Sequence, residues 1–376
     1  MNRRAWGDER FQMSVSLWLI ALGLVFLSVP PANAADGKGE AKLDGRVAAL
    51  EAQVKTLLSR VQEIHKQNEA QQSQIQALKT ENQALTTKLG CLSKEGDEVF
   101  FTGCNVNIRN GLGNTSTKNG LGNLIIGYNE KQQEKTASPN DRSGSHNLVI
   151  GVKHTYSNYG GFVAGSNNII SGSFASVSGG GGNTAGGKFS SVSGGGANIA
   201  GADYASVSGG AYNSANSDSS SVSGGHHNTA DCCYANSVSG GGDNLARGTS
   251  SSISGGGGNK AIGYLSSISG GSRNTAGDEQ GLKPGASVSG GENNAANGTF
   301  SSVSGGGANK AIGYLSSISG GSHNTAGEAQ AASSGASVSG GDNNTATGAF
   351  SSISGGNNLT AKGEDCWRAG GLKHGC

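Results

Sequence analysis

Six cysteines and one adjacent pair of histidines are the residues best equipped for chemistry in this 376-residue chain. His226-His227 stand five positions before Cys232-Cys233. Imidazole and thiolate together suit a soft or borderline metal such as zinc. The spacing matches no standard zinc framework, so no metal ligand is assigned. Adjacent cysteines more readily form a vicinal or interchain bridge. Cys91 and Cys104 flank a short segment, the size of a loop staple, and are expected to pair. Closing such a loop contributes about 3 kcal/mol. Cys366 and Cys376 are expected to pair or to cap their segment.

No other residues assemble a reaction centre. The chain has no G-x-S-x-G elbow, no H-E-x-x-H helix and no phosphate loop in a strand–helix context. Runs such as Gly179 to Gly182 read as turns, because no helix follows them. Acidic residues are too scattered for a catalytic carboxylate pair. The expectation is a protein with no enzymatic activity, no catalytic residues and no cofactor. With 27 basic and 26 acidic residues the net charge is +1. No basic field attracts phosphate backbones, and nucleic acid is not an expected partner.

The elements that carry these residues are unusual in composition. Glycine makes up 67 of the 376 residues, about 18%, against a typical ~7%. Such a chain without a period reads as disordered; this one has a period. Its start is different again. Arg3, Arg4 and Arg10 precede an apolar run from Val15 to Leu27 and then Pro30-Pro31-Ala32-Asn33-Ala34. This is the plan of a secretory signal peptide over 1–34, with an apolar run shorter than a membrane span. Export permits disulfides.

Residues 41–92 read as a coiled-coil stalk. Leu43, Leu50, Leu57, Ile64, Gln71, Leu78, Leu85 and Leu92 occupy d positions. Val47, Val54, Val61, Asn68, Ile75, Asn82 and Leu89 occupy a positions. A seam this narrow buries nothing on its own, so the chain is expected to associate with copies of itself in a parallel α-helical coiled coil. β-Branched residues at a with Leu at d favour two strands.

From residue 173 to 363 the phrase Ser-Val/Ile-Ser-Gly-Gly recurs. Its central residue is Val177, Val192, Val207, Val222, Val238, Ile253, Ile268, Val288, Val303, Ile318, Val338 and Ile353. Most steps are 15 residues, one is 16 and two are 20. Six positions after each anchor but the last stands an asparagine: Asn183, Asn198, Asn213, Asn228, Asn244, Asn259, Asn274, Asn294, Asn309, Asn324 and Asn344. An alanine follows two positions later, and Phe174, Phe189, Tyr204, Phe300 and Phe350 precede their anchors by three. A fixed short period means stacked coils, each touching only its neighbours. The predicted coil has two short strands and two turns. Its interior is lined by the Val/Ile, Ala and aromatic columns, with an Asn ladder bonding turn backbone of adjacent coils. Outward rows include Ser178, Ser193, Ser208 and Ser223. Insertions near Asp278–Pro284 and Glu328–Ser334 project as loops, and Asn259–Leu315 contains a 50-residue duplication. Residues 93–172 read as an irregular cap module of the same architecture, and 364–376 as a cysteine-containing tail.

Ser176-Val177-Ser178-Gly179-Gly180 followed by Thr184-Ala185-Gly186-Gly187 resembles the head repeat of the trimeric autotransporter adhesins, over roughly residues 105–363. That family repeats S-V-A-I-G and then x-A-x-G. Here the second apolar residue is glycine, the coiled coil precedes the head, and no C-terminal membrane anchor is seen. The resemblance implies a mostly β fold, a repetitive left-handed β-roll, a homotrimer and adhesion to an extracellular protein or glycan. A dimer stays open from the seam. The expected setting is exported: cell surface or extracellular, or periplasmic. The alternative functions are a structural envelope spacer and a polysaccharide- or ice-binding solenoid.

Overall fold

The structure is a computed structural model that describes residues 37–131, 140–278, 280, 283–329 and 335–376, with side chains from residue 39 onward. The expected export signal lies outside the described residues. The chain divides into two units, with the boundary after Asn105.

In the first unit one long helix, α1, spans Gly37–Lys88. Its sequence is free of proline and rich in Ala, Leu, Glu, Gln and Lys, all good helix formers. Lys88 in the last turn complements the helix dipole. The helix ends before the heptad pattern does. Gly90 follows, and Leu92, the last expected d residue, instead opens strand β1 (Leu92–Glu95). β1 pairs antiparallel with β2 (Glu98–Phe101) around Gly96, which sits at φ 58°. The segment between the two cysteines expected to pair is therefore a hairpin. Cys91 and Cys104 are joined beside it, with Cα atoms 6.0 Å apart. The Thr102 amide donates to the Cys91 carbonyl at 2.8 Å.

The second unit is a parallel β-solenoid. One ladder begins at Leu124–Ile126 and runs by parallel pairing through Leu148–Val152 and Phe162–Ser166 into the Ser-Val/Ile pairs. It continues to Trp367–Ala369, where Leu372–His374 folds back antiparallel and covers the edge. Cys366 and Cys376 are bonded across this terminal turn. A second ladder of 14 strands carries the x-Ala pairs, from Thr155–Tyr156 to Thr360–Ala361. A third line of single bridges runs through Gly181, Gly196, Ala211 and His226 and onward to Asn357.

Register is in phase throughout: Ser191 pairs with Ser206 and Val192 with Val207. Like residues therefore stack in columns. The interior holds the Val/Ile anchors, the alanines and the asparagines, all essentially fully buried. A further buried column lies two residues before each anchor: Ala175, Ser190, Ala205, Ser220, Asn236, Ser251 and onward to Cys366.

Candidate functional site

The asparagine column shows how narrow the interior is. Asn198 donates from Nδ2 to the Gly194 carbonyl of its own coil and the Gly210 carbonyl of the next, both at 2.9 Å. Its Oδ1 accepts from the Asn213 amide at 3.0 Å. The same three bonds recur along the column, so each side chain spends both N–H donors and its acceptor on backbone. The glycine three positions after each anchor is fixed by this packing. Gly195 has φ 85°, and a Cβ there would lie 2.1 Å from the Gly210 carbonyl oxygen. A left-handed conformation and a close backbone approach both demand glycine.

His154 occupies the same column near its start. Its Nδ1 accepts from the Asn168 amide at 3.3 Å, and Nε2 lies 3.0 Å from the Ile150 carbonyl. Burial pushes its pKa below the usual histidine value, and the nearby Arg142 guanidinium acts in the same direction. The neutral ring is the form that fits: protonated, Nδ1 would face the amide with a proton of its own.

Outside, the two broad faces differ. One carries exposed serines, Ser178, Ser193, Ser208 and Ser223 among them, each followed by a glycine. A Cβ on Gly179, Gly194, Gly209 or Gly224 would meet nothing within 4 Å. The other face varies from coil to coil: Thr184, Ile199, Ser214, Thr229, Leu245, Lys260, Thr275, Ala295 and Lys310 succeed one another in register.

The aromatic column is on the outside, against expectation. Phe174 is 39% exposed, and Phe189, Tyr204, Phe300 and Phe350 are exposed too. These residues hold φ values of 53–59°, and that left-handed corner turns the side chain out. The small residue that follows points in instead. Strand alternation counted back from the Val anchor carries this signal: two positions back is inward, three is outward. The rings build an outer stack. Phe174 lies over Phe189 at 5.2 Å, and Phe189 over Tyr204 at 5.4 Å. The Lys188 ammonium sits 5.1 Å from the Phe189 ring centre.

The histidine and cysteine pairs go to different environments. His226 and His227 pack ring to ring with Tyr212. Cys232 and Cys233 are exposed and unbonded, at the turn after the Thr229–Ala230 strand. Among the described residues no group of three or more His, Cys, Asp or Glu is placed to hold a metal ion. The Cys232 thiol is raised in pKa, chiefly by its hydrogen bond with Cys233. Both cysteines have positive φ, 64° and 73°. The bulge is held from inside: Asn236 replaces the usual Ser or Ala and donates to the carbonyls of Asp231 and Cys232.

The single extra residue at this bulge and both longer insertions fall in the same turn, after the x-Ala strand. Residues 279, 281–282 and 330–334 of those insertions lie outside the described residues. Cys232, Cys233, Arg247, Lys260, Tyr264 and Gln280 line one depression on this side. The outward columns that form it, and the fact that three length changes coincide there, were missed in the sequence. The insertion positions were visible there; the phase of the turn was not.

No protein-family model matches the chain, and no curated protein matches it significantly.

Proposed function

We propose that this protein is an exported, non-catalytic fibrous protein of the cell surface or extracellular space. It self-associates as a homotrimer through a parallel coiled-coil stalk, and its left-handed β-roll adheres to matrix proteins or glycans. One observation carries the reading. A 52-residue helix exposes its whole heptad seam, with Leu57 58% accessible, and precedes a solenoid whose apolar interior is little more than one Val or Ile and one Ala per coil. Ordering backbone costs ~1–2 kcal/mol per residue. Both elements gain by packing against copies of themselves.

Light scattering on the purified protein tests this. A solution mass of three chains is the expected result. A mass of one chain overturns self-association. Immobilised matrix proteins and glycans then test adhesion. A trimer that retains none of them supports the second reading, a structural spacer. The uncharged Ser-Gly face, unbroken over many coils, favours that reading.

A further inference from the structure

Charges on the variable face and on the turn after its strand change in sign along the solenoid, from Lys188 to Glu364. At its N-terminal end the turn carries Asp203, Asp218 and Asp231, with Lys188. Beyond these, cations outnumber acids on the described strand and turn as far as Glu328: Arg247, Lys260, Lys283 and Lys310, against Asp278 and Glu328. Arg273 and Glu292, at the opposite turn, pair with each other at 3.7 Å.

Within this stretch one constellation occurs twice. Lys260-Ala261-Ile262-Gly263-Tyr264 recurs as Lys310-Ala311-Ile312-Gly313-Tyr314. In each copy the lysine and tyrosine are exposed, with Tyr264 48% and Tyr314 43% accessible. In each copy an insertion from the next coil returns to the stack on the tyrosine backbone. The Gly285 amide donates to the Tyr264 carbonyl, and the Gly335 amide to the Tyr314 carbonyl, both at 2.9 Å. The two copies are three rungs apart by register, Lys260 to Thr275 to Ala295 to Lys310. At ~4.8 Å per rung that is about 14 Å.

We infer that these are two equivalent subsites for one acidic polysaccharide lying along the solenoid. The inference rests on the proposed adhesive role and names its ligand class. Carboxylate or sulfate groups of the polymer meet Lys260 and Lys310, with Arg247 adding to the first subsite. The apolar face of a sugar ring meets Tyr264 or Tyr314, whose rings offer an apolar body with a polar tip. A polymer engages both subsites at once, so two weak contacts act as one stronger one. A depression lined by thiols, cations and an aromatic ring already marks the first subsite.

Calorimetric titration of the full chain with polygalacturonate, heparin and neutral dextran tests the inference. The expected result is binding to an acidic polymer that weakens as salt rises, and no binding to dextran. Heparin alone binding points to sulfate, polygalacturonate alone to carboxylate, and either supports the inference. The K260Q/K310Q variant is expected to bind about tenfold more weakly, while K188Q binds as the parent does. Circular dichroism checks that the variants fold. The inference is overturned if neither acidic polymer binds, if dextran binds equally well, or if K260Q/K310Q is unaffected. Retention on matrix proteins without acidic-polymer binding sinks the subsites and leaves the adhesive reading standing; retention on nothing sinks both.

Discussion

Two glycines side by side in the repeat are held by different forces. Gly195 stands at φ 85° with the next coil's carbonyl where a Cβ would go, whereas Gly194 faces open space. Gly195→Ala is expected to lose about 3 kcal/mol or more, from strain and steric overlap together. Gly194→Ala, in the isolated solenoid, is expected to be neutral or to gain up to about 1 kcal/mol by restricting the unfolded chain. Urea titration of both variants measures the contrast, and equal losses would refute it. His154 supplies the pH-dependent counterpart. Burial lowers its folded pKa below the ordinary 6.5. The unfolded chain therefore binds the proton first, and stability falls as pH drops below about 6.5 while it is fully present above. His154→Asn keeps an acceptor for the Asn168 amide and a donor for the Ile150 carbonyl. Its melting temperature should accordingly change less than the parent's between about pH 7 and pH 5. Asp342 acts in a lower window. Its carboxyl is held down by a hydrogen bond from Ser322 and then by His323.

At the scale of elements, legibility followed period. The Val/Ile, Asn and Ala columns could be read because each recurs at a fixed offset, and fixed offsets in an in-phase solenoid become columns. The aromatic column has the same regularity, but hydrophobicity was the wrong guide to its direction. Its backbone lies in the left-handed region, which phenylalanine and tyrosine, unlike glycine or asparagine, do not advertise. The helix was legible from its heptads, but its C-terminal limit was not. Leu89 still bonds back to Leu85 as a helical residue does, but Leu92 continues the spacing after Gly90 and the adjacent disulfide have redirected the backbone. For α1 itself the seam makes a firm prediction. Val54→Lys with Leu57→Lys places charge on adjacent a and d positions, where a partner helix would have to bury it. The double variant should sediment as a smaller species and lose helical ellipticity on dilution. Unchanged mass and helicity would mean that the seam is not an interface.

For the whole molecule, the governing fact is that each coil touches only its neighbours. Length is then a free variable so long as register is kept. The internal duplication offers a clean test, because Gly258 can be joined to Asn309 by removing residues 259–308. The junction restores the phrase Gly-Asn-Lys-Ala-Ile, and the step from Ile253 to Ile318 becomes an ordinary one of 15. Three coils disappear, and the solenoid should shorten by about 14 Å, read from small-angle scattering, with its β circular dichroism per residue unchanged. Removing only residues 259–265 instead puts Asn out of its column. The amide groups that cross between coils would then face side chains that cannot answer them, at ~1–3 kcal/mol for each unsatisfied group. That shorter deletion should unfold the stack locally around the junction and raise hydrogen exchange there, though it removes far fewer residues. If both deletions were tolerated equally, the columns would be packing by composition alone, and the in-register ladder would not be what holds this solenoid together.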